Sequence, residues 1–318
     1  MTSDTVQHMD SLPSPPGDVT AIAFIGFGEA AAAFVQGWRD AATGNGAASA
    51  FDVKTQAEAA AVRTAKWDDY ARRGITGHET PDGALAGAGL VFSLVTADQA
   101  FAAADSAASV ITAGALYLDG NSCAPDTKRR SAAIIEAAGG RYVDMAVMAP
   151  VHPKLHRTPV LLSGPHAAQA QAALAALDMT ADIAEGDVGT AWSIKMIHSI
   201  MVKGMEAVDL ECFLAARKAG VDEPVIASLE ATYPDFDWRG RGAYMMERVT
   251  THGVRRAAEM RESRQTLKDL GLSGAMTAGT VDWQQLIGVM DLSPGPNDYG
   301  LRADAILARL ADEGDDNG

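Results

Sequence analysis

Short apolar runs alternate with segments of helical spacing along the first 190 residues. The run 21–25 predicts a strand, a glycine turn follows, and good helix formers begin at Ala30. Further apolar runs predict strands ending at Phe51 and over 90–95, 115–118, 141–144, 160–163 and 181–183. Helical spacing is found over 55–65, 97–108 and 124–138. Strands separated by helices of roughly 10 to 15 residues are typical of a mainly parallel, doubly wound sheet.

The pattern changes after Gly189. Residues 190–219 have apolar side chains at helical spacing and no proline, which predicts one helix of roughly 30 residues. Helical periods continue to the C-terminus, interrupted by glycine, proline and aspartate, over 223–232, 242–252, 254–270, 279–290 and 300–310. The chain is therefore predicted to be α/β, with an all-α C-terminal domain that begins with the long helix.

Composition and charge exclude several classes of protein. The 318 residues are 47% hydrophobic and 21% charged, as in folded globular proteins, and the length suggests about two domains. Lys and Arg number 26 against 41 Asp and Glu, and the resulting net charge of −15 argues against nucleic acid and anionic membranes as partners. The most apolar stretch, 83–97, is shorter than the roughly 20 residues of a membrane-spanning helix.

Cysteine usage gives no sign of a disulfide framework or a metal site. Cys123 and Cys212 are the only cysteines, and neither stands in a Cys/His cluster. We therefore expect no metal and a reducing, cytoplasmic location.

The glycine turn after the first strand carries the most specific motif of the sequence. It reads G-x-G-x-x-A, formed by Gly26, Phe27, Gly28, Glu29, Ala30 and Ala31. In such a turn the first glycine permits the bend, the second lets a pyrophosphate approach the backbone, and the small third residue allows close packing of helix on strand. Because it joins a strand to a helix at the head of repeated βαβ units, the motif predicts a dinucleotide site in a Rossmann domain.

The end of the second predicted strand indicates which dinucleotide is bound. Asp52 stands where a carboxylate accepts the adenosine ribose hydroxyls, which favours NAD over NADP. Lys54 is close enough to weaken that preference, and a solvated turn aspartate is the alternative reading of Asp52. Val95 and Thr96, which follow a later strand, complete the predicted cofactor residues.

A polar group stands near the start of the predicted long helix. Lys195, His198 and Ser199 have the i, i+3, i+4 spacing that places side chains on one helix face. A lysine flanked by two hydrogen-bonding groups suits proton transfer opposite a carbinol carbon. A solvated lysine on a helix surface is the alternative interpretation.

Three motifs in this order resemble the β-hydroxyacid dehydrogenase and 6-phosphogluconate dehydrogenase superfamily. The first is Gly26 to Ala31. The second is the segment from Asp119 to Thr127, similar to that family's substrate loop, and the third is Lys195-Met-Ile-His198-Ser199, similar to its catalytic helix. The resemblance implies that Lys195 is the general acid/base and that Asn121, Ser122, His198 and Ser199 bind substrate. It also implies a long interdomain helix and a C-terminal domain that forms a homodimer. The C-terminal half most resembles a poorly characterised bacterial branch of the superfamily with a phosphogluconate dehydrogenase-like C-terminal domain.

The sequence departs from the family at two informative places. A glutamate seven residues after the lysine serves the decarboxylation of 6-phosphogluconate, and here that position is Val202, so this reaction is not expected. The family's glycine-rich loop after a later strand appears as Asp144-Met-Ala-Val-Met-Ala-Pro150. The superfamily also contains imine-reducing enzymes, which are one alternative to a hydroxy-acid dehydrogenase, although they often lack the lysine that stands here at Lys195. The altered loop favours a second alternative, a dinucleotide-binding protein without turnover.

A basic segment of the C-terminal half has two interpretations. Arg255, Arg256, Arg261 and Arg264 form either a salt-bridged, solvated helix face or a clamp in which Arg255 or Arg256 binds a substrate anion.

The predicted organisation has four parts. A disordered tail covers 1–19, an NAD(P)-binding Rossmann domain 20–189, an all-α substrate and dimerisation domain 190–312, and an acidic tail 313–318. The predicted function is NAD(P)-dependent hydride transfer to or from a small hydroxy acid, as in 3-hydroxyacid dehydrogenases.

Overall fold

The computed structural model describes residues 21–43 and 48–315, so the predicted tail over 1–19 lies outside the described residues. The described chain divides into two compact units. Unit 1 contains the residues up to Asn121 together with those from Thr127 to Ala191. Unit 2 contains the short segment 122–126 and the residues from Trp192 onward. None of the helices in the described ranges combines the length and apolar content needed to cross a membrane.

Unit 1 is built on one eight-stranded sheet with the order β3-β2-β1-β4-β5-β6-β7-β8. Neighbouring strands are parallel except for β6 and β7, which pair antiparallel. The strands are β1 (Ile22–Ile25), β2 (Ala48–Phe51), β3 (Thr76–His78), β4 (Leu90–Ser93), β5 (Leu116–Asp119), β6 (Arg141–Val147), β7 (Val160–Ser163) and β8 (Ala181–Ile183).

Both faces of the sheet are covered, as its sequence pattern requires. Alternate residues of one strand enter different hydrophobic cores: Phe24 of β1 belongs to one core, whereas Ala23 and Ile25 belong to the other. The accompanying helices are α1 (Glu29–Ala41), α2 (Ala60–Arg73), α3 (Pro81–Leu85), α4 (Ala100–Ala108), α5 (Pro125–Ala137) and α6 (Ala167–Ala176). This doubly wound arrangement confirms the predicted fold class.

The sequence pattern was least accurate around β2. A helix was predicted over 55–65, but a 3₁₀ turn, Val53–Gln56, follows the strand and α2 runs later, over Ala60–Arg73. The side chain of Asp52 accepts a hydrogen bond from the Lys54 N–H and caps the 3₁₀ turn. The short elements β3 and α3 were missed because neither is long enough to show a hydrophobic period.

The C-terminal part of the chain is helical, as predicted. Its helices are α7 (Thr190–Ala219), α8 (Asp222–Thr232), α9 (Trp238–Asp269), α10 (Ala275–Gly288) and α11 (Tyr299–Asp315). Their core contains Leu210, Phe213, Met246 and Ile306, among others. Helix α11 continues to Asp315, into the segment predicted as an acidic tail, and residues 316–318 lie outside the described range.

Two predicted helices, 242–252 and 254–270, are one helix of 32 residues, α9. The glycine that suggested a break, Gly253, instead allows close contact between helices. A Cβ atom at Gly253 would lie 2.7 Å from the Cα of Gly288 in α10 and 2.4 Å from the Gln284 carbonyl oxygen. Gly253 is therefore required by packing, and the helix continues through it.

Candidate functional site

A cleft opens at the carboxyl ends of the central strands of unit 1. Its volume is about 570 Å³, and five of the predicted cofactor residues line it: Gly26, Gly28, Asp52, Val95 and Thr96. The cleft lies where β1 pairs with both β2 and β4, so that the chain turns from one half of the sheet to the other. Open α/β sheets bind their ligands at this position.

The two glycines of the turn have different roles. Gly26 has a φ of +79°, and a Cβ atom there would lie 2.5 Å from the Leu94 carbonyl oxygen. The turn therefore needs glycine at this position for its conformation and for its contact with the end of β4. A Cβ atom at Gly28 would meet no atom within 4 Å, so the backbone there borders open space in the cleft.

The middle residue of the turn is held by buried charged side chains. The N–H of Phe27 donates to Asp52 Oδ2 at 2.9 Å, and its carbonyl oxygen accepts from Lys66 Nζ at 2.6 Å. The Phe27 ring is fully buried and lies 5.4 Å from the Tyr70 ring. Phe27 is thus not among the residues that line the cleft, and it supports the turn between Gly26 and Gly28, which are.

Asp52, predicted to bind the ribose, follows β2 and lines the cleft. It is 8% exposed, and each carboxylate oxygen accepts one backbone hydrogen bond, from Phe27 or from Lys54. A carboxylate has about four acceptor positions, so two remain for hydroxyl groups of a ligand. Burial, and next the charges of Asp52 and Asp69, raise the pKa of the neighbouring Tyr70, which therefore stays protonated.

These features fit a dinucleotide. The helix α1 begins at Glu29, and its N-cap residue is Gly28. Since glycine has no side chain to cap them, the first N–H groups of α1 can donate to a bound anion. The rest of the cleft is mainly apolar and includes Phe51, Pro81, Ala102 and Ala103, which suits an adenine ring. Among residues 21–43 and 48–315, no group of three His, Cys, Asp or Glu side chains could hold a metal ion.

Asn121 is buried, and its side chain is directed toward the end of β4. Its Oδ1 accepts from the N–H of Val95 at 2.6 Å, and its Nδ2 donates to Ser93 Oγ at 2.9 Å. Asn121 therefore holds the loop that carries Val95 and Thr96 on the cleft.

A fully buried charged network lies beside Asn121. Lys128 Nζ is 3.3 Å from Asp119 Oδ1 and 3.1 Å from Asp144 Oδ1, and all three side chains are inaccessible to solvent. Tyr142 donates to Asp119, and burial followed by the charge of Asp119 raises the pKa of that phenol well above its usual range. Asp144 Oδ2 accepts from Ser163 and from the Gly189 N–H. Asp144, the first residue of the altered loop, therefore has a structural role.

The residues predicted to act on substrate belong mainly to unit 2. Lys195 is half-buried, with its Nζ 4.4 Å from the centre of the Trp192 ring. Ser199 is buried and accepts from Lys203 Nζ at 3.3 Å, whereas His198 is exposed. Ser122, in the short segment 122–126 of the same unit, is half-buried.

Further along α7, the same helix face carries charged residues that the sequence analysis did not single out. Lys203 pairs with Glu259 of α9 at 2.7 Å. Burial raises the pKa of Glu259, but the opposing effects of Lys203, Arg255 and Lys195 are larger together, and the pKa lies below its ordinary value. The polar positions 195, 199, 203 and 206 at helical spacing were a signal in the sequence for this polar face of α7.

The structure separates the two arginines of the basic segment. Arg256 is buried and pairs with Glu206 of α7 at 2.5 Å, and Gln284 donates to the same carboxylate. Arg255 is exposed and lies 3.2 Å from Glu259, one turn away. Arg256 is therefore committed to a structural pair, and Arg255 contributes to a salt-bridged surface.

Two family models match the sequence. Residues 22–189 match the NAD binding domain of 6-phosphogluconate dehydrogenase, and residues 216–287 match a domain of unknown function, DUF1932. Comparison with curated proteins finds no match.

Solved structures resemble the chain over nearly its whole length. A conserved hypothetical protein from Sinorhizobium meliloti 1021 is 33% identical, with a TM-score of 0.75 over 92% of this chain and 98% of that one. A conserved protein of unknown function, described as similar to 3-hydroxyacid dehydrogenases, is 24% identical, with a TM-score of 0.68 over 89% and 99% of the two chains. A Mycobacterium tuberculosis 3-hydroxyisobutyrate dehydrogenase with L-serine is 14% identical, with a TM-score of 0.69 over 91% and 99%.

Proposed function

The chain belongs to the family whose model describes the NAD binding domain of 6-phosphogluconate dehydrogenase, and from this membership we propose an NAD-preferring oxidoreductase that acts on a small hydroxy acid. The observation that carries the proposal is the cleft at the carboxyl ends of β1, β2 and β4, with Gly26, Gly28 and Asp52 on its wall. The chemical class of the substrate rests on the resemblance to 3-hydroxyacid dehydrogenases.

The residues of unit 1 would hold the cofactor. Gly28 and the first N–H groups of α1 would bind the pyrophosphate, since they border open space and carry partial positive charge. Asp52 would accept the ribose hydroxyls with its two remaining acceptor positions. A 2′-phosphate would meet the Asp52 carboxylate, so we expect NAD to bind more tightly than NADP, although Lys54 on the same cleft reduces the difference.

Lys195 would move the proton of the reaction. The nicotinamide, when bound, supplies hydride acceptance or donation at the carbinol carbon. Lys195 would take the hydroxyl proton during oxidation and return it during reduction. Ser122, His198 and Ser199 would orient the substrate, and Asn121, whose amide holds Val95, would connect the substrate loop to the cofactor loop.

We also propose that two copies of the chain associate. The outward side of α7 has four exposed apolar residues at helical spacing, Ile194, Ile197, Met201 and Val208, which we call the apolar α7 face. An exposed apolar stripe on a long helix favours burial against a partner. With 41 acidic against 26 basic residues, attraction between copies has to come from apolar surface.

The first test is a fluorescence titration with NADH and with NADPH, followed by turnover assays on 3-hydroxy acids, keto acids and cyclic imines. Lys195→Ala should leave NADH affinity unchanged and lower turnover of the best hydroxy acid by at least about 100-fold, the usual contribution of a general acid/base. Lys218→Ala, which alters an exposed lysine at the other end of α7, is the control. Absence of binding by either dinucleotide, or reduction of imines alone, would contradict the proposal.

A further inference from the structure

Lys66 of α2 is a buried cation that the proposed reaction does not use. The lysine is 8% exposed, and its Nζ lies 2.6 Å from the Phe27 carbonyl oxygen and 3.3 Å from Asp69 Oδ2. It is also 5.6 Å from the centres of the Phe27 and Tyr70 rings. Burying an ammonium group is costly unless it is paired and hydrogen-bonded, so this lysine is tied to the glycine turn rather than to solvent.

Lys66 and Asp52 together hold one residue of the turn. Asp52 accepts from the Phe27 N–H, Lys66 donates to the Phe27 carbonyl, and the two charged groups lie 4.0 Å apart. Both backbone polar groups of Phe27 are thus fixed by an ion pair. The conformation of the turn then depends on a side chain that lies 39 residues away in sequence, outside the glycine motif.

The orientation of the next peptide group follows from this contact. The peptide bond between Phe27 and Gly28 is trans, and in a trans peptide the carbonyl and the following N–H point in opposite directions. Because the Phe27 carbonyl is held toward Lys66, the Gly28 N–H points away from Lys66. Gly28 lines the cleft and borders open space, so this N–H is available to a ligand there.

We propose that Lys66 is a positioning residue that fixes the Phe27–Gly28 peptide so that the Gly28 N–H is presented to the pyrophosphate of the dinucleotide. This inference rests on the proposed function. Lys66 does not touch the cofactor itself and acts through the turn. NADH has no 2′-phosphate, so a loss of NADH affinity reports on the pyrophosphate contact. The loss for NADPH should be at least as large, because Lys66 also lies 4.0 Å from Asp52.

The test compares Lys66→Met with Arg72→Met, a control on the same helix. Arg72 is exposed and contacts the same Asp69 at 3.4 Å, so the control removes a neighbouring positive charge without altering the turn. We expect Lys66→Met to raise the Kd of NADH by at least about tenfold, as for loss of a charged hydrogen bond, and to raise the Kd of NADPH by at least as much. Arg72→Met should stay within about threefold of wild type.

A second readout needs no cofactor. Amide hydrogen exchange of the turn, followed in a peptide covering 24–32, should be faster in Lys66→Met than in wild type or Arg72→Met, because the Phe27 peptide is no longer held. If Lys66→Met does not fold, a double variant, Lys66→Met with Asp69→Asn, is used instead of it in the affinity and exchange measurements. The double variant removes the charges of both members of the i,i+3 pair, so that Asp69 is not left unpaired by the loss of Lys66.

The outcomes distinguish this inference from the proposed function. Unchanged affinity and unchanged exchange in a folded variant overturn the role of Lys66 while the cofactor site stands. A loss confined to NADPH also overturns it, because that pattern indicates a charge effect at the 2′-position. If wild type binds neither dinucleotide, the proposed function fails, and hydrogen exchange alone decides whether Lys66 positions the turn.

Discussion

Single residues in unit 1 have roles that depend on burial. Lys128 lies between Asp119 and Asp144 with no exposure to solvent, and Asn121 uses its amide to hold the loop after β4. In the sequence Lys128 is one of three consecutive basic residues, Lys128, Arg129 and Arg130, on a predicted helix. Nothing in that pattern distinguishes the buried lysine from its neighbours.

Replacing Lys128 tests the buried network. Lys128→Met leaves two carboxylates buried without their cation, so we expect the free energy of unfolding to fall by about 3–5 kcal/mol. Urea unfolding at neutral pH measures this loss. Lys154→Met, at an exposed lysine, should change stability by less than about 0.5 kcal/mol. A Lys128→Met protein as stable as this control would mean that the network contributes nothing to folding.

At the scale of elements, α7 reverses the usual polarity over part of its length. The side that faces α9 and α10 includes buried Lys203, Glu206 and Asp209, whereas the other side carries the apolar α7 face. A surface helix of a globular protein normally buries its apolar side and exposes its charged side. Among the described residues, Asp209 Oδ2 is buried without a hydrogen-bond partner.

Asp209 should make stability depend on pH. Burial raises its pKa to about 6, with Arg241 opposing and Glu206 adding to the shift. Because the folded state holds this proton more tightly than the unfolded chain, the contribution of Asp209 to stability falls as the pH rises from about 4 to about 6 and is level above. Asp209→Asn, which stays neutral, should therefore be more stable than wild type at pH 7 by on the order of 1 kcal/mol, and equal to it near pH 4.

Urea unfolding of both proteins between about pH 4 and pH 8 measures this difference. Asp304→Asn provides a control of opposite sign, because the hydrogen bond from Arg217 lowers the pKa of Asp304. That variant should be less stable than wild type throughout this range, and the loss should disappear only in more acidic solution, as the pH falls through the lowered pKa of Asp304. A constant difference between Asp209→Asn and wild type across the range would show that Asp209 does not titrate differently in the folded state.

At the scale of the whole molecule, charge and apolar surface have opposite effects. A net charge of −15 disfavours association between copies, and the apolar α7 face favours it. Association through apolar surface is strengthened when salt screens the repulsion. The oligomeric state therefore shows whether the repulsion between charges or the attraction between apolar surfaces is larger.

We expect a homodimer in solution that dissociates on Met201→Glu, since Met201 is 66% exposed near the centre of the apolar α7 face. Light scattering or sedimentation at two ionic strengths measures this, and the dimer of the wild type should be tighter at the higher salt concentration. Val62→Glu, at an exposed apolar position of α2, should leave the dimer intact. A monomeric wild type at tens of micromolar would remove the proposed role of α7 in association.

Local patterns in the sequence determined much of this protein. The alternation of strands and helices predicted the doubly wound sheet because residues of one strand face two cores, and the bounds of α7 agree because its helical period is long and unbroken by proline. The glycine turn and Asp52 were identified because backbone conformation and strand ends constrain residue type locally.

Only the tertiary structure decided which charged residues are buried and what they contact. Lys66 reaches Phe27 across 39 positions, Glu206 reaches Arg256 across 50, and Gly253 serves a contact with Gly288 rather than a helix end. The role of each depends on a partner far away in the chain, and hydrophobic periodicity reports only which face of an element is buried. Packing of distant segments therefore gave these charged residues buried partners that no local pattern predicts.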